Sequence, residues 1–158
     1  MNSFTKTGRK IMKALIDTNV LMDTIQRRQP FCDASDTVMD LIADEKIEGY
    51  VSVQSLKDVF YFCSKYKKEK DAFETVEKLS FVLNVIDMNG NDSRAVLMSG
   101  MNDYEDGLIA FSALRNGIRT IITRNVKDYN MTDMIVIDPK DIHNFIWHFV
   151  ADGEVIIG

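Results

Sequence analysis

Lys13-Ala14-Leu15-Ile16-Asp17-Thr18-Asn19-Val20-Leu21 is the stretch on which the reading of this chain turns. Lys13 to Ile16 is too short for a helix and reads as a buried strand. Asp17-Thr18-Asn19 then supplies turn and N-cap chemistry, and Val20-Leu21-Met22 resumes as the apolar stripe of a helix. A carboxylate is thereby placed at the carboxyl end of a buried strand. Charged and unpaired beside apolar surface, it costs on the order of several kcal/mol, so it must find hydrogen bonds, a cation or a raised pKa.

Outward from this segment the same situation recurs. Asp58 lies inside the apolar stretch Leu56 to Cys63, and Asp103 and Asp106 open the run Leu108-Ile109-Ala110-Phe111. Asp103 and Asp106 are three residues apart at a helix start and so face one side of it, Asp106 sharing a stripe with Ile109, Ala110 and Ala113. Thr123 and Asn125 close a later strand. Taken singly, each acid is as readily a helix or turn cap. Convergence on one crevice points instead to a hard divalent cation, which takes a few carboxylates and fills its shell with water.

The intervening sequence alternates short apolar strands with longer helices. Pro30 is read as the stop of the first helix, and the next covers Ala34 to Ala43. A strand at Tyr50-Val51-Ser52-Val53 leads into a buried helix, Gln54 to Tyr66. The charged run Lys65 to Asp71 makes a solvated turn before a helix carrying Phe73, Val76, Leu79 and Leu83. Val85-Ile86, Arg119 to Thr123 and Met134 to Ile137 are further strands. Asn91-Asp92-Ser93 caps a helix, Tyr104 to Asn116 forms the next, and Pro139 starts a terminal one through Ile142, Phe145 and Ile146. This order predicts an α/β fold, a three-layer α/β/α sandwich around a parallel sheet, in which ligands collect at the carboxyl ends of the strands.

The 158 residues, 46% of them hydrophobic, suit one domain. We expect that domain to span residues 12–150, preceded by a disordered or vector-derived leader (1–11) and followed by a tail (151–158). A net charge of −5, from 19 basic and 24 acidic residues, argues against gripping nucleic acid by bulk charge. It is compatible with a nuclease, because a bound divalent ion reverses the field that a phosphate meets. Cys32 and Cys63 lack the spacing of a disulfide or zinc framework, and no segment reads as a membrane span or secretory signal, so a cytoplasmic protein is expected.

The sequence resembles the PIN-domain ribonucleases, a family that includes the VapC-type toxins. Leu15-Ile16-Asp17-Thr18-Asn19-Val20-Leu21 is similar to the family's opening strand and first metal-binding aspartate. Ser52 to Asp58 is similar to the segment that usually ends in Glu, Asp106-Gly107-Leu108-Ile109-Ala110 to the third acidic motif, and Thr123 to Tyr129 to the fourth. The resemblance runs from Met12 to about Ile146 and has two departures. Asp58 stands where Glu is usual, one methylene shorter, and Asn125 stands where many relatives carry Asp, which leaves an amide oxygen as ligand or passes the role to Asp128.

The resemblance implies a metal-dependent ribonuclease that hydrolyses RNA phosphodiester bonds, with the toxin of a toxin–antitoxin pair as its cellular role. Asp17, Asp58 and Asp106 would hold Mg2+ or Mn2+, completed by Asp103 and by Asn125 or Asp128. Thr18, Asn19, Asp23 and Thr123 are read as supporting residues. Implied partners are an RNA substrate and an antitoxin; separately, the apolar end, Phe145 to Val150 with Val155 to Ile157, is read as packing on the domain or on a second copy of the chain in a homo-oligomer. Arg27, Arg28, Arg115, Arg119 and Arg124 are individually better read as solvated arginines than as RNA contacts, and the methionines, Met98 among them, as core filler.

Two other classes remain. One is a PIN-like RNA-binding or assembly module without catalysis, motivated by Asp58 and Asn125. The other, a phosphotransfer domain or aspartate-based phosphatase, is opposed by Asn19, which stands where such phosphatases carry a second Asp. His143 and His148 have no suitably spaced partner, and no Ser-His-Asp or Cys-His nucleophile is set up.

Overall fold

The structure is a computed structural model and describes residues 11–130 and 132–146. The leader apart from Ile11, Met131, and the expected tail with Trp147 to Val150 before it lie outside the described residues. Strands β1 (Met12–Ile16), β2 (Ile47–Ser52), β3 (Asn84–Ile86), β4 (Thr120–Ile122) and β5 (Ile135–Ile137) form one sheet, with order β3-β2-β1-β4-β5. Every pairing is parallel. Helices α1 (Thr18–Gln26), α2 (Cys32–Ala43), α3 (Val53–Tyr66), α4 (Glu69–Val82), α5 (Gly90–Ser99) and α6 (Tyr104–Arg115) make the crossovers. The central parallel sheet flanked by helices is the architecture expected from the sequence.

Strand β1 is central and covered on both sides, which explains its lack of a polar face. Ala14 and Ile16 pack into one apolar cluster with Val20, Leu21, Val38 and Val59, while Leu15 points the other way into a second cluster with Ile109, Ala110, Ala113, Ile121 and Tyr129. The strand order reverses at β1, so the crevice between β1 and β4 is the switch point where such sheets receive ligands. Register fixes what lies there: Ile16 pairs with Ile122, and the next residues, Asp17 and Thr123, emerge side by side.

Several local expectations are corrected. Helix α1 ends before Pro30, because Arg27 takes a left-handed conformation (φ 54°) and its N–H returns to the Asp23 and Thr24 carbonyls. Helix α5 is capped two residues earlier than Asn91, by Asn89 in a reciprocal capping box with Asp92. Met98 is 87% exposed, since α5 turns Val96 toward α6 and leaves Leu97 and Met98 outside. The α5–α6 approach is close enough that a Cβ on Gly107 would lie 2.6 Å from a Val96 methyl.

Candidate functional site

Asp17 is buried where β1 hands over to α1, and its carboxylate is the most heavily coordinated group of the crevice. Oδ1 accepts from the Thr18 backbone N–H (2.7 Å). Oδ2 accepts from Thr123 Oγ1 (2.7 Å), Asn19 Nδ2 (3.2 Å) and the Tyr129 hydroxyl (3.3 Å). Thr123 Oγ1 also accepts from Asn19 Nδ2 (3.0 Å) and from the Asn125 backbone N–H (3.0 Å), so its one proton and both lone pairs are used. Asn19 completes the frame by accepting from the Arg124 N–H (3.2 Å) through its amide oxygen.

Asp106 comes from the first turn of α6, which Asp103 caps by accepting from the Asp106 N–H (3.0 Å). The Asp106 carboxylate has a single hydrogen-bond donor among the described residues, the Tyr129 hydroxyl at 3.4 Å. One buried phenol thus stands between Asp17 and Asp106. Burial pushes Asp17 above the usual carboxylate range despite the donors Thr123, Thr18 and Tyr129, and the charge of Asp128 adds to the rise. Asp106 is pushed up to about 6, by burial first and then by the charges of Asp103, Asp17 and Asp128. Tyr129 is pushed upward too, by burial and by the two carboxylates, and so remains a donor.

Asp17, Asp106, Asp103 and Asp128 therefore share one electrostatic neighbourhood, in which like charges repel and wait for a counter-charge. Asp58 and Asn125 are less engaged. The half-buried Asp58 pairs with Lys57 (3.1 Å), and among the described residues no hydrogen bond links it to Asp17 or Asp106. It does lie one helical turn beyond Ser55, whose Oγ accepts from Thr18 Oγ1 (2.8 Å). The Asn125 side chain is exposed and makes no hydrogen bond among the described residues, whereas its backbone N–H is held by Thr123 and its carbonyl accepts from the Asp128 N–H (3.0 Å). Among the described residues no three Asp, Glu, His or Cys side chains form a ready-made cage for an ion.

Asp23 is fully buried and so is not a solvated helix position. It accepts from Arg124 through Nε (2.5 Å) and Nη2 (3.1 Å) and lies 3.8 Å from Arg28, and the Arg124 guanidinium stacks 4.1 Å from the Phe31 ring centre. Arg115 is likewise engaged, donating to Asp92 (2.8 and 2.9 Å) and to the Asp87 carbonyl (3.0 Å). Neither is the free solvated arginine expected from the sequence. Residues whose part was not foreseen are Tyr129, Ser52 and Ser55. The serine pair, with Ser52 Oγ accepting from the Ser55 N–H (3.0 Å), has the spacing of a helix N-cap and was open to recognition on that ground.

Comparison with known proteins agrees with the fold. VapBC2 from Rickettsia felis, solved bound to a promoter DNA fragment, is 21% identical and superposes with a TM-score of 0.64, covering 80% of this chain and 98% of its own. DNA-bound VapBC from Salmonella typhimurium is 19% identical, with a TM-score of 0.63 and coverages of 82% and 99%. The sarcin-ricin loop cleaving toxin VapC20 of Mycobacterium tuberculosis is more distant, at 11% identity and a TM-score of 0.53 over 68% of this chain and 86% of that one. At such identities the likeness shows the fold alone. No curated protein matches the chain significantly. The family profile described as PIN domain matches residues 13–127, most of the chain from β1 into the turn that carries Asp128 and Tyr129, and the protein belongs to the PIN domain family.

Proposed function

We propose that this protein is a divalent-cation-dependent ribonuclease that hydrolyses RNA phosphodiester bonds and serves as the toxin of a toxin–antitoxin pair. The observation that carries this reading is the Asp17–Asp106 pair, held around one buried hydroxyl at the sheet's switch point in a PIN-domain chain. The donor set fits a hard cation, being all oxygen and electrostatically frustrated without one. Asp17 and Asp106 would hold Mg2+ or Mn2+, with Asp103 and Asp128 adding charge and Asp58 reaching it through water. When bound, the ion supplies a water of lowered pKa and offsets negative charge on the phosphate.

The chain's own residues do the rest. Thr123 and Asn19 lock the orientation of Asp17, and Asp103 fixes the first turn of α6 and with it Asp106. No protein nucleophile is needed. Arg124 and Arg115 already pair with buried acids, which leaves exposed lysines beside the crevice, such as Lys127, to meet the RNA backbone. The toxin role is supported by the relatives solved as toxin–antitoxin complexes, which makes an antitoxin the expected partner. The exposed apolar side chains Phe81, Leu97 and Met98 give a protein partner, antitoxin or second copy, something to cover.

The test is cleavage of single-stranded RNA with Mg2+ or Mn2+. Chelation should abolish it, and Asp17→Asn and Asp106→Asn should each remove most of it while the fold persists. Variants that keep the wild-type rate would place the cleavage in a contaminant or at another site. A second reading, a PIN-like module that binds RNA or partners without cleaving, is favoured by the pairing of Asp58 with Lys57. It predicts RNA retention with no cation-dependent turnover.

A further inference from the structure

We infer that Tyr129 is the positioning residue of the acidic pair, its hydroxyl holding Asp106 in the orientation that lets it share a cation with Asp17. The inference deepens the ribonuclease reading and rests on it. Its basis is an asymmetry between the two carboxylates. Asp17 is held by Thr18, Asn19 and Thr123 independently of Tyr129, whereas Tyr129 is the one donor to Asp106 among the described residues.

The phenol is suited to this task. Its ring is fully buried in the cluster of Leu15, Ile109, Ala110 and Ile121, so the hydroxyl is carried on a rigid stem at a fixed depth. The ring needs no hydroxyl to fill that space, and a phenylalanine would pack there equally well. A buried hydroxyl, by contrast, needs a partner, and the two in reach are Asp17 Oδ2 and Asp106 Oδ1. With a single proton it donates to one of them at a time, as a neutral spacer between two negative groups. It has no second proton with which to satisfy both. A cation resolves that shortage by attracting both carboxylates, while the hydroxyl continues to limit the rotation of Asp106.

The test is calorimetric titration of Mn2+ alone into the full-length wild type, Tyr129→Phe, Asp106→Ala and the double variant, with thermal melts to confirm folding. Tyr129→Phe should weaken Mn2+ binding about tenfold, the scale for losing a group that orients a ligand. Because Tyr129 acts through Asp106, the same change in the Asp106→Ala background, which has no side-chain acceptor for the hydroxyl, should weaken binding no further. Mn2+ should also perturb tyrosine absorbance in the wild type and lose that signature in Tyr129→Phe. Wild-type affinity in Tyr129→Phe, or equal weakening in both backgrounds, overturns the positioning role and leaves the ribonuclease reading standing. No Mn2+ binding by the wild type overturns both.

Discussion

Replacing Asp106 by Asn should make the cation-free protein more stable at neutral pH, the reverse of the usual effect of altering a half-buried polar residue. Asp106 titrates near 3.8 when unperturbed and at about 6 in the fold. The folded chain thus holds this proton more tightly than the unfolded chain, and ionising it opposes folding. Below about pH 3 both states are protonated and the group costs nothing; the cost grows as pH rises and is complete above about pH 7. The full shift corresponds to about 3 kcal/mol. Because Asp106 is only half-buried, water screens part of the repulsion, and about 1–1.5 kcal/mol is the figure to expect. Asparagine keeps the shape and can still accept from Tyr129.

The assay is urea unfolding of wild type and Asp106→Asn in chelator, at about pH 7.5 and again at about pH 3, conditions that bracket the titration. Asp106→Asn should be the more stable protein at the higher pH, and its advantage should shrink toward zero at the lower one. Groups common to both proteins, such as the Asp92–Arg115 pair, cancel in the difference. Adding Mn2+ should reverse the order, since the ion stabilises only a protein that binds it. An Asp106→Asn protein that is destabilised at pH 7.5, or whose advantage does not change with pH, would refute the claim that Asp106 is held in a repulsive site.

Further outcomes follow from the same geometry. Mn2+ affinity should fall as pH drops through about 6, because the ion competes with the proton on Asp106, and titrations across that range check it. Asp58→Glu should preserve or improve Mn2+ binding by restoring reach, and Asn125→Asp should strengthen it; weaker binding by Asn125→Asp would make the amide a required donor. Arg124→Ala should cost about 3 kcal/mol in denaturant unfolding, because it leaves the fully buried Asp23 with only the more distant Arg28 for counter-charge. A cost under about 1 kcal/mol would mean that Asp23 reaches water when Arg124 is removed.

Legibility in the sequence followed how local each signal was. The β1–Asp17–α1 transition is written in adjacent residues, so apolar run, cap and helix stripe were all readable within ten positions. Asp103 and Asp106 were readable as a pair for the same reason, sitting three apart on one helix start. Tyr129 falls within the fourth motif but has no legible role there, because its two partners are remote in the chain and nothing near residue 129 says that its hydroxyl is buried between them. Asp23 was equally undecidable, its burial being set by Arg124 across the sheet. Met98 misled because methionine fits a core and a surface alike, and only the facing of α5 toward α6 separates the two.

The site's bonds also carry a consequence for how the protein comes into being. The contacts that Asn19 and Asp17 make with Thr123 and Tyr129 close over sequence separations of 104, 106 and 112 residues. Loops of that size are closed late, after local contacts have formed. During synthesis Asp17 is made early, but its hydroxyl partners and Asp128 arrive only once most of the chain has left the ribosome. A nascent or prematurely terminated chain ending before Thr123 lacks half of Asp17's frame and cannot assemble the acidic pair. For the ribonuclease proposed above, order of synthesis itself keeps the unfinished molecule harmless.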